Sequence, residues 1–291
     1  MMPFYRKAYI SNLTNNLKYI TNNKFIANLF DVSLRDGLQS KKEIYTLENK
    51  KIILHDIIEK QYPKSIEVGS LVSNKVLPQM SNSLELYNYA ESLETEIDFY
   101  LLVPNLNHTK KAIKHDVKNM SFITSVSNEF QLKNIKKTLL ETKDEIKSIS
   151  QFINNKDINN KKLYISCINQ CPISGIIDNN FIVDEILYYN DLNSFDELCL
   201  SDTCGKLDFE NFKIIIDSLL LHMKSDKLSL HLHMSDDLNT LSNIINYAFD
   251  NNINNFDISI LNSGGCSVTM EKDKLNNNLT YDALYNIIDN Q

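Results

Sequence analysis

Two short stretches hold residue types that can do chemistry at close quarters. In Leu29 to Ser40, LFDVSLRDGLQS, Phe30, Val32 and Leu34 alternate as in a half-buried strand, which then ends in Arg35-Asp36-Gly37. Arg35 can hold an oxygen with two N–H groups, Asp36 can ligate a hard cation, and Gly37 lets the chain turn away. Taken alone, an exposed turn with a solvated ion pair reads the same way. In LSLHLHMSD, His231 and His233 are two residues apart. On a strand they share a face at a spacing of about 6.8 Å, from which two imidazoles can converge on one metal ion. The pair alone also fits one packed and one solvated histidine. Asp36 would close the third side. Two nitrogens with carboxylate and amide oxygens suit Mg²⁺ or Mn²⁺ better than a thiolate-bound Zn²⁺.

Cys266 follows Gly264 and Gly265. A thiol near a metal can donate or accept a proton once its pKa is lowered, although a free cysteine is more often a small buried hydrophobe. Cys167, Cys171, Cys199 and Cys204 are read as such hydrophobes, with Cys167 a candidate to line the cavity. His55, His108, His115 and His222 are read as surface residues.

The elements that must position these groups are short apolar strands alternating with amphipathic helices. The strands are read at 30–34, 65–69, 97–103, 122–126, 163–167, 197–201, 228–233 and 256–261, with helical patterns at 49–60, 83–93, 131–153, 183–189, 209–223 and 237–249. Eight strands rich in Ile, Val and Leu, alternating with helices, predict an α/β fold with a parallel sheet closed as a (β/α)8 TIM barrel. A doubly wound open sheet is the alternative, but no GxGxxG follows the first strand. Residues 29–291 are expected to form one barrel domain. Residues 1–28 are expected to be an extension that covers the barrel bottom or packs on a second copy, as in a homodimer.

In such a barrel the chemistry lies where strands end. Those ends carry Arg35 and Asp36; Glu67; Pro104 and Asn105; Ser127; Tyr164, Ser166 and Cys167; Asp202 and Thr203; His231 and His233; and Gly264, Gly265 and Cys266. Of only 6 glycines, Gly37, Gly69, Gly205, Gly264 and Gly265 sit at or just past these ends, and Gly175 follows in a loop.

Composition narrows the function classes. A net charge of −7 with no block of basic residues argues against nucleic acid and anionic membranes as partners, and no apolar run spans a bilayer. Five cysteines, an odd number spread over the second half of a chain without an evident signal peptide, fit a reducing compartment, and the cytoplasm is expected. The first thirty residues contain Arg6, Lys7, Lys18 and Lys24 and no acid, so mitochondrial import is the alternative, although they are rich in Asn and Tyr rather than Arg and Ser.

Together, RDGLQ, SIEVGSLVSNKVLPQM, VPNL, YISCINQCPISG, LSDTCG, HLH and SGGC, in that order from about Phe30 to Leu284, resemble 3-hydroxy-3-methylglutaryl-CoA lyase. That family belongs to the metal-dependent lyases and aldolases built on TIM barrels. The resemblance implies cleavage of a 3-hydroxy-3-methylglutaryl thioester, a small-molecule acyl-CoA, to acetyl-CoA and acetoacetate. It implies that Asp36, His231, His233 and Asn278, the last in NNNLTYDAL, ligate the cation. Arg35 would stabilise the developing enolate, with Glu67 orienting it. Cys266 would relay a proton, while His231 and Asp202 would help remove the hydroxyl proton. Gln39, Tyr164, Asn105, Ser127 and Thr203 would join Arg35 around the substrate.

The chain departs from the family pattern at Met234, where Asp usually follows HxH, in CGKLDF after strand six, and in a lid, SVTMEKDKLNNN, that lacks glycine. It also stops at Gln291, where the family continues with a segment over the CoA site. Two rival expectations follow: a sibling lyase for another acyl-CoA or keto acid, and a catalytically silent barrel with a binding role.

Overall fold

The computed structural model describes residues 27–235, 237–265, 269–270 and 276–289. Eight of its strands close into a parallel barrel: β1 (Asn28–Asp31), β2 (Ser65–Ser70), β3 (Asp98–Leu102), β4 (Asn119–Ser125), β5 (Asn160–Ser166), β8 (Glu197–Ser201), β9 (Leu228–His231) and β10 (Asn255–Ile258). The order around the barrel is β1-β10-β9-β8-β5-β4-β3-β2, with β1 pairing β2 to complete the ring. A two-stranded hairpin, β6 (Gln170–Cys171) and β7 (Gly175–Ile176), interrupts the connection after β5. The helices are α1 (Leu47–Lys60), α2 (Ser83–Glu91), α3 (Leu106–Lys114), α4 (Asn128–Ile135), α5 (Leu139–Ile153), α6 (Asn179–Asp191), α7 (Phe209–Leu220), α8 (Leu238–Asp250) and α9 (Tyr281–Asp289). The expected TIM barrel is therefore present.

Strand residues that point outward, such as Ile66, Leu101, Phe122, Leu163, Leu198 and Leu230, join helix residues such as Leu54, Ile149, Ile186 and Ile245 in one apolar layer. Each such side chain contributes about 1.5–3 kcal/mol on full burial, so this layer carries the fold. Inside the ring the content differs. Phe30 and Tyr100 pack edge to face at 4.8 Å, and Tyr164 packs with Leu102 and Cys199, but Glu67, Lys162 and Asp257 are buried there as well. Among the described residues, no helix is long and apolar enough to cross a membrane.

Helix starts follow capping chemistry. Thr46, Asp178 and Asp208 accept from the N–H groups of Asn49, Phe181 and Asn211, and Thr138 and Glu141 form a capping box. Each cap contributes on the order of 1 kcal/mol. The helix expected over 131–153 is instead two, because Lys136 adopts φ 59° and redirects the chain between α4 and α5. The strand expected over 30–34 ends at Asp31, and Ser33–Gly37 forms a π-helical turn in which the Gly37 N–H reaches the Val32 carbonyl at 3.1 Å. The expected extension, residues 1–28, lies outside the described residues as far as Ile26; from Asn28 the chain is already strand, paired with Asn255.

Candidate active site

The π-helical turn decides the geometry of Arg35 and Asp36. In a strand, successive side chains face opposite ways, so two consecutive residues cannot both face the barrel mouth. A turn widened by one residue lets them do so, and both are buried at the C-terminal mouth. Arg35 is clamped: its Nε donates to Glu67 Oε2 and its Nη1 to Asp36 Oδ1 at 2.6 Å. Glu67, in β2, also accepts from Ser121 in β4 and, at 3.3 Å, from the Tyr164 hydroxyl in β5. The Tyr164 ring lies 5.0 Å below the guanidinium carbon, a cation–π contact that holds its plane.

Asp36 faces the histidines. Its Oδ2 lies 3.9 Å from His231 Nε2 and accepts from the Gly265 N–H at 3.1 Å, while Gln39 donates to Oδ1. Burial disfavours the carboxylate, but Arg35, His231 and His233 outweigh it and hold the Asp36 pKa at about 2. His231 closes β9. His233 lies just past it, in an isolated bridge to Asn278, and the two imidazole rings are 5.1 Å apart. Burial, with His231 alongside, pushes the His233 pKa down to about 4, so its imidazole is neutral near pH 7. His233 Nδ1 donates to the Asp202 carbonyl oxygen at 2.6 Å, which leaves the Nε2 lone pair to face the cluster.

These groups fit a cation. One ligand atom each from Asp36, His231 and His233 lies within 4.8 Å of the others, and all three residues are buried. His233 Nε2 and Asn278 Oδ1 are buried polar atoms with no hydrogen-bond partner among the described residues. Such atoms are costly unless a ligand satisfies them. Gly264 makes the fourth arm feasible, because a Cβ there would come within 2.4 Å of Asn278 Oδ1. The donor set, two imidazole nitrogens with carboxylate and amide oxygens, suits a divalent cation of the Mg²⁺ or Mn²⁺ kind.

Beside the cluster opens a cavity of about 140 Å³, lined by Arg35, Gln39, Tyr164, Thr203 and both histidines, with an apolar wall that includes Val72 and Phe130. Not every expected site residue reaches it. The Asn105 side chain caps α3, and that of Ser127 caps α4. The Asp202 carboxylate accepts from the N–H groups of Lys206 and Leu207, both at 3.1 Å, so it is turned into its own loop. Burial raises its pKa despite those bonds. Cys266 lies outside the described residues. Thr203 Oγ1 accepts from the Cys167 N–H at 2.9 Å, and Cys167 is buried away from the cavity.

Cys171 is buried in the apolar core as expected, but its sulfur also accepts from the Ser127 hydroxyl at 3.0 Å and from the Ile173 and Ser174 N–H groups. His55 and His108, expected at the surface, are half-buried and bond Tyr89 and Asn105 at 2.7 and 2.8 Å. Two further residues were missed in the sequence, Asp257 and Lys162, which meet inside the barrel beneath His231. An acid inside an apolar strand, as in FDISI, and a lysine opening the apolar part of one, as in KKLYIS, are the signals that could have found them.

A family model described as HMGL-like matches residues 27–262. The chain belongs to the HMGL-like family. Its named relatives are carbon–carbon lyases. Hydroxymethylglutaryl-CoA lyase of Arabidopsis thaliana, a mitochondrial protein, is 26% identical over 84% of the chain. The chain spans 50% of that protein's length. A Pseudomonas aeruginosa 3-hydroxy-3-isohexenylglutaryl-CoA/hydroxy-methylglutaryl-CoA lyase is 26% identical over 82% of the chain and 77% of its own length. The solved structure of an HMG-CoA lyase from Acinetobacter baumannii, in complex with coenzyme A and 3-methylmalate, superposes with a TM-score of 0.80. That match covers 91% of this chain and 84% of the other at 22% identity, a likeness of fold. The HMGL-like barrel thus agrees with the resemblance read from the motifs.

Proposed function

We propose that this HMGL-like protein is a divalent-metal-dependent lyase that cleaves 3-hydroxy-3-methylglutaryl-CoA to acetyl-CoA and acetoacetate. The observation that carries this reading is the buried cluster of Asp36, His231, His233 and Asn278 beside a clamped Arg35. When bound, the cation supplies Lewis acidity to the tertiary hydroxyl of the substrate. Asp36, His231, His233 and Asn278 would hold it.

Arg35 does the work of charge stabilisation. Breaking the carbon–carbon bond turns the hydroxyl carbon into a ketone and leaves the bonding pair on the thioester fragment as an enolate. With Nε and Nη1 tied to Glu67 and Asp36, the guanidinium is preorganised, and Nη2 has no partner among the described residues. A donor fixed in advance lowers the barrier because nothing must reorient as charge appears. The enolate carbon must then take a proton, and Cys266 is proposed as its source. The hydroxyl proton is assigned to water in the cavity beside His231, since His231 turns Nε2 to the cation site and Nδ1 to Asp257, and the Asp202 carboxylate is engaged by its loop. Tyr164 and Gln39, which line the cavity, would contact the acyl group.

An acyl-CoA as the ligand is supported by the coenzyme A bound in the Acinetobacter structure. The four described cysteines are free thiols, in keeping with a reducing compartment such as the cytoplasm. The relatives themselves include mitochondrial and cytoplasmic forms. A second reading, a sibling lyase for a bulkier acyl-CoA, is favoured by the apolar wall of Val72, Val76, Leu77, Phe130 and Ile135. The test is product analysis of the Mg²⁺-loaded protein given 3-hydroxy-3-methylglutaryl-CoA. Equal amounts of acetoacetate and acetyl-CoA support the first reading. No products from it, with cleavage of a longer 3-hydroxyglutaryl thioester, supports the second.

A further inference from the structure

The interior of the barrel holds a second charged group, below the cavity. Lys162, the third residue of β5, is buried and lines a cavity at the opposite, N-terminal mouth. Its Nζ donates to Asp257 Oδ1 in β10, lies 2.8 Å from Glu197 Oε1 and sits 3.8 Å over the Phe30 ring. The other oxygen of Asp257, Oδ2, lies 3.0 Å from His231 Nδ1, with the Cys199 sulfur at 3.8 Å. A line of contacts therefore runs along the barrel axis from Lys162 through Asp257 to His231, and ends where His231 Nε2 faces Asp36.

We propose that Lys162 and Asp257 are positioning residues, a buried pair that sets the His231 imidazole with Nδ1–H toward Asp257 and Nε2 bare toward Asp36, so presetting one arm of the cation site from the far side of the barrel. Neither residue lines the active-site cavity; Asp257 reaches it through His231, and Lys162 through Asp257 and, at 5.2 Å, the Tyr164 ring. The geometry explains why two groups are needed. A lysine can only donate, so it takes Oδ1 and leaves Oδ2 as the acceptor for the imidazole N–H. A histidine whose far nitrogen is fixed in this way offers a cation a defined lone pair and ring plane. An isolated buried acid and lysine would each be strongly unfavourable in an apolar barrel. Here each satisfies the other, and the pair faces His231, while His233 is held by the Asp202 carbonyl.

The inference rests on reading Asp36, His231 and His233 as a cation site, and the experiment separates the two. Long-range ¹H–¹⁵N correlation on the metal-free protein reports which His231 nitrogen carries the proton. The wild type is expected to carry its proton on Nδ1. In Asp257→Asn, Lys162 keeps the amide oxygen and the amide nitrogen faces His231, so the proton is expected to move to Nε2. Mn²⁺ affinity should then fall tenfold or more, in the range about 10–100-fold seen when outer ligand partners are lost. Adding Lys162→Met frees the amide to turn its oxygen to His231, so the double variant should regain the Nδ1–H tautomer and most of the affinity. A purely structural role would make the double variant no better than the single one. A wild-type His231 protonated on Nε2 overturns the proposal even if neither variant folds. So does an Asp257→Asn protein with unchanged tautomer and affinity. A wild type with the expected tautomer that binds no Mn²⁺ supports the positioning and overturns the metal reading alone.

Discussion

Arg35 and Glu67, 32 positions apart in the chain, form a buried ion pair in which the guanidinium Nε donates to the carboxylate. The Glu67 side chain is fully buried, and its second oxygen accepts from Ser121. Replacing Glu67 by Ala removes the acceptor and leaves the arginine charge without its anchor. Breaking a buried pair from one side costs about 3–5 kcal/mol. The variant is expected to unfold at lower denaturant by that amount and to lose at least tenfold in turnover. Glu67→Gln, of the same shape, should keep most of the stability and still lose turnover. Urea unfolding and product assays on the two variants check this. Full turnover in Glu67→Gln would remove Glu67 from the account.

His233→Ala deletes one nitrogen of the cluster while leaving Arg35 and its clamp in place. Mn²⁺ affinity is expected to drop by at least about tenfold, the lower bound even for changes outside the ligand shell. Titration followed by electron paramagnetic resonance reads this directly. An unchanged isotherm would take His233 out of the ligand set.

Gly264→Ala tests the fourth arm without replacing a ligand. The added methyl would lie 2.4 Å from Asn278 Oδ1 and 2.8 Å from its Nδ2, so Asn278 must move. Weaker Mn²⁺ binding with little change in melting temperature is expected. If binding is unaltered, Asn278 is not a ligand.

The sequence made the barrel and the cluster legible for a physical reason. Arg35, Asp36, His231 and His233 are groups that an apolar strand end does not carry without a use, and eight strand-helix alternations leave little choice but closure. The rest hid in features that periodicity does not encode. Phe30, Val32 and Leu34 alternate as a strand would, yet a π-helical turn from Ser33 buries Leu34 equally well. Asn105 and Ser127 stand where a strand ends and a helix begins, so a capping residue and a site residue look alike there. Lys136 breaks α4 from α5 without glycine or proline. Lys162 and Asp257 are 95 residues apart, and neither makes sense until the barrel closes.

Asp31 gives a prediction about pH. Burial raises its pKa to about 6, against bonds from the Ser33 N–H and the Tyr281 hydroxyl that favour the anion. The folded state then binds more protons than the unfolded state between the ordinary carboxylate value and about pH 6, so this group's contribution falls as pH rises through that window. The loss is on the order of 3 kcal/mol. Asp31→Asn keeps the oxygen that accepts from Ser33 and has no such titration. Its stability relative to wild type should therefore rise from about pH 4 to pH 6 and then level off. A constant difference in unfolding free energy across that range would contradict the burial of an ionising Asp31.

The central claim is metal-dependent carbon–carbon cleavage at the Asp36, His231, His233 and Asn278 cluster beside Arg35. The measurement that tests it most directly is release of acetoacetate from 3-hydroxy-3-methylglutaryl-CoA by chelator-stripped protein before and after Mg²⁺ is restored, alongside Arg35→Met. The account predicts no product from stripped protein, recovery on adding Mg²⁺, and no recovery in Arg35→Met although that variant still binds Mn²⁺. Product formed at the same rate without the cation, or by Arg35→Met, would contradict it.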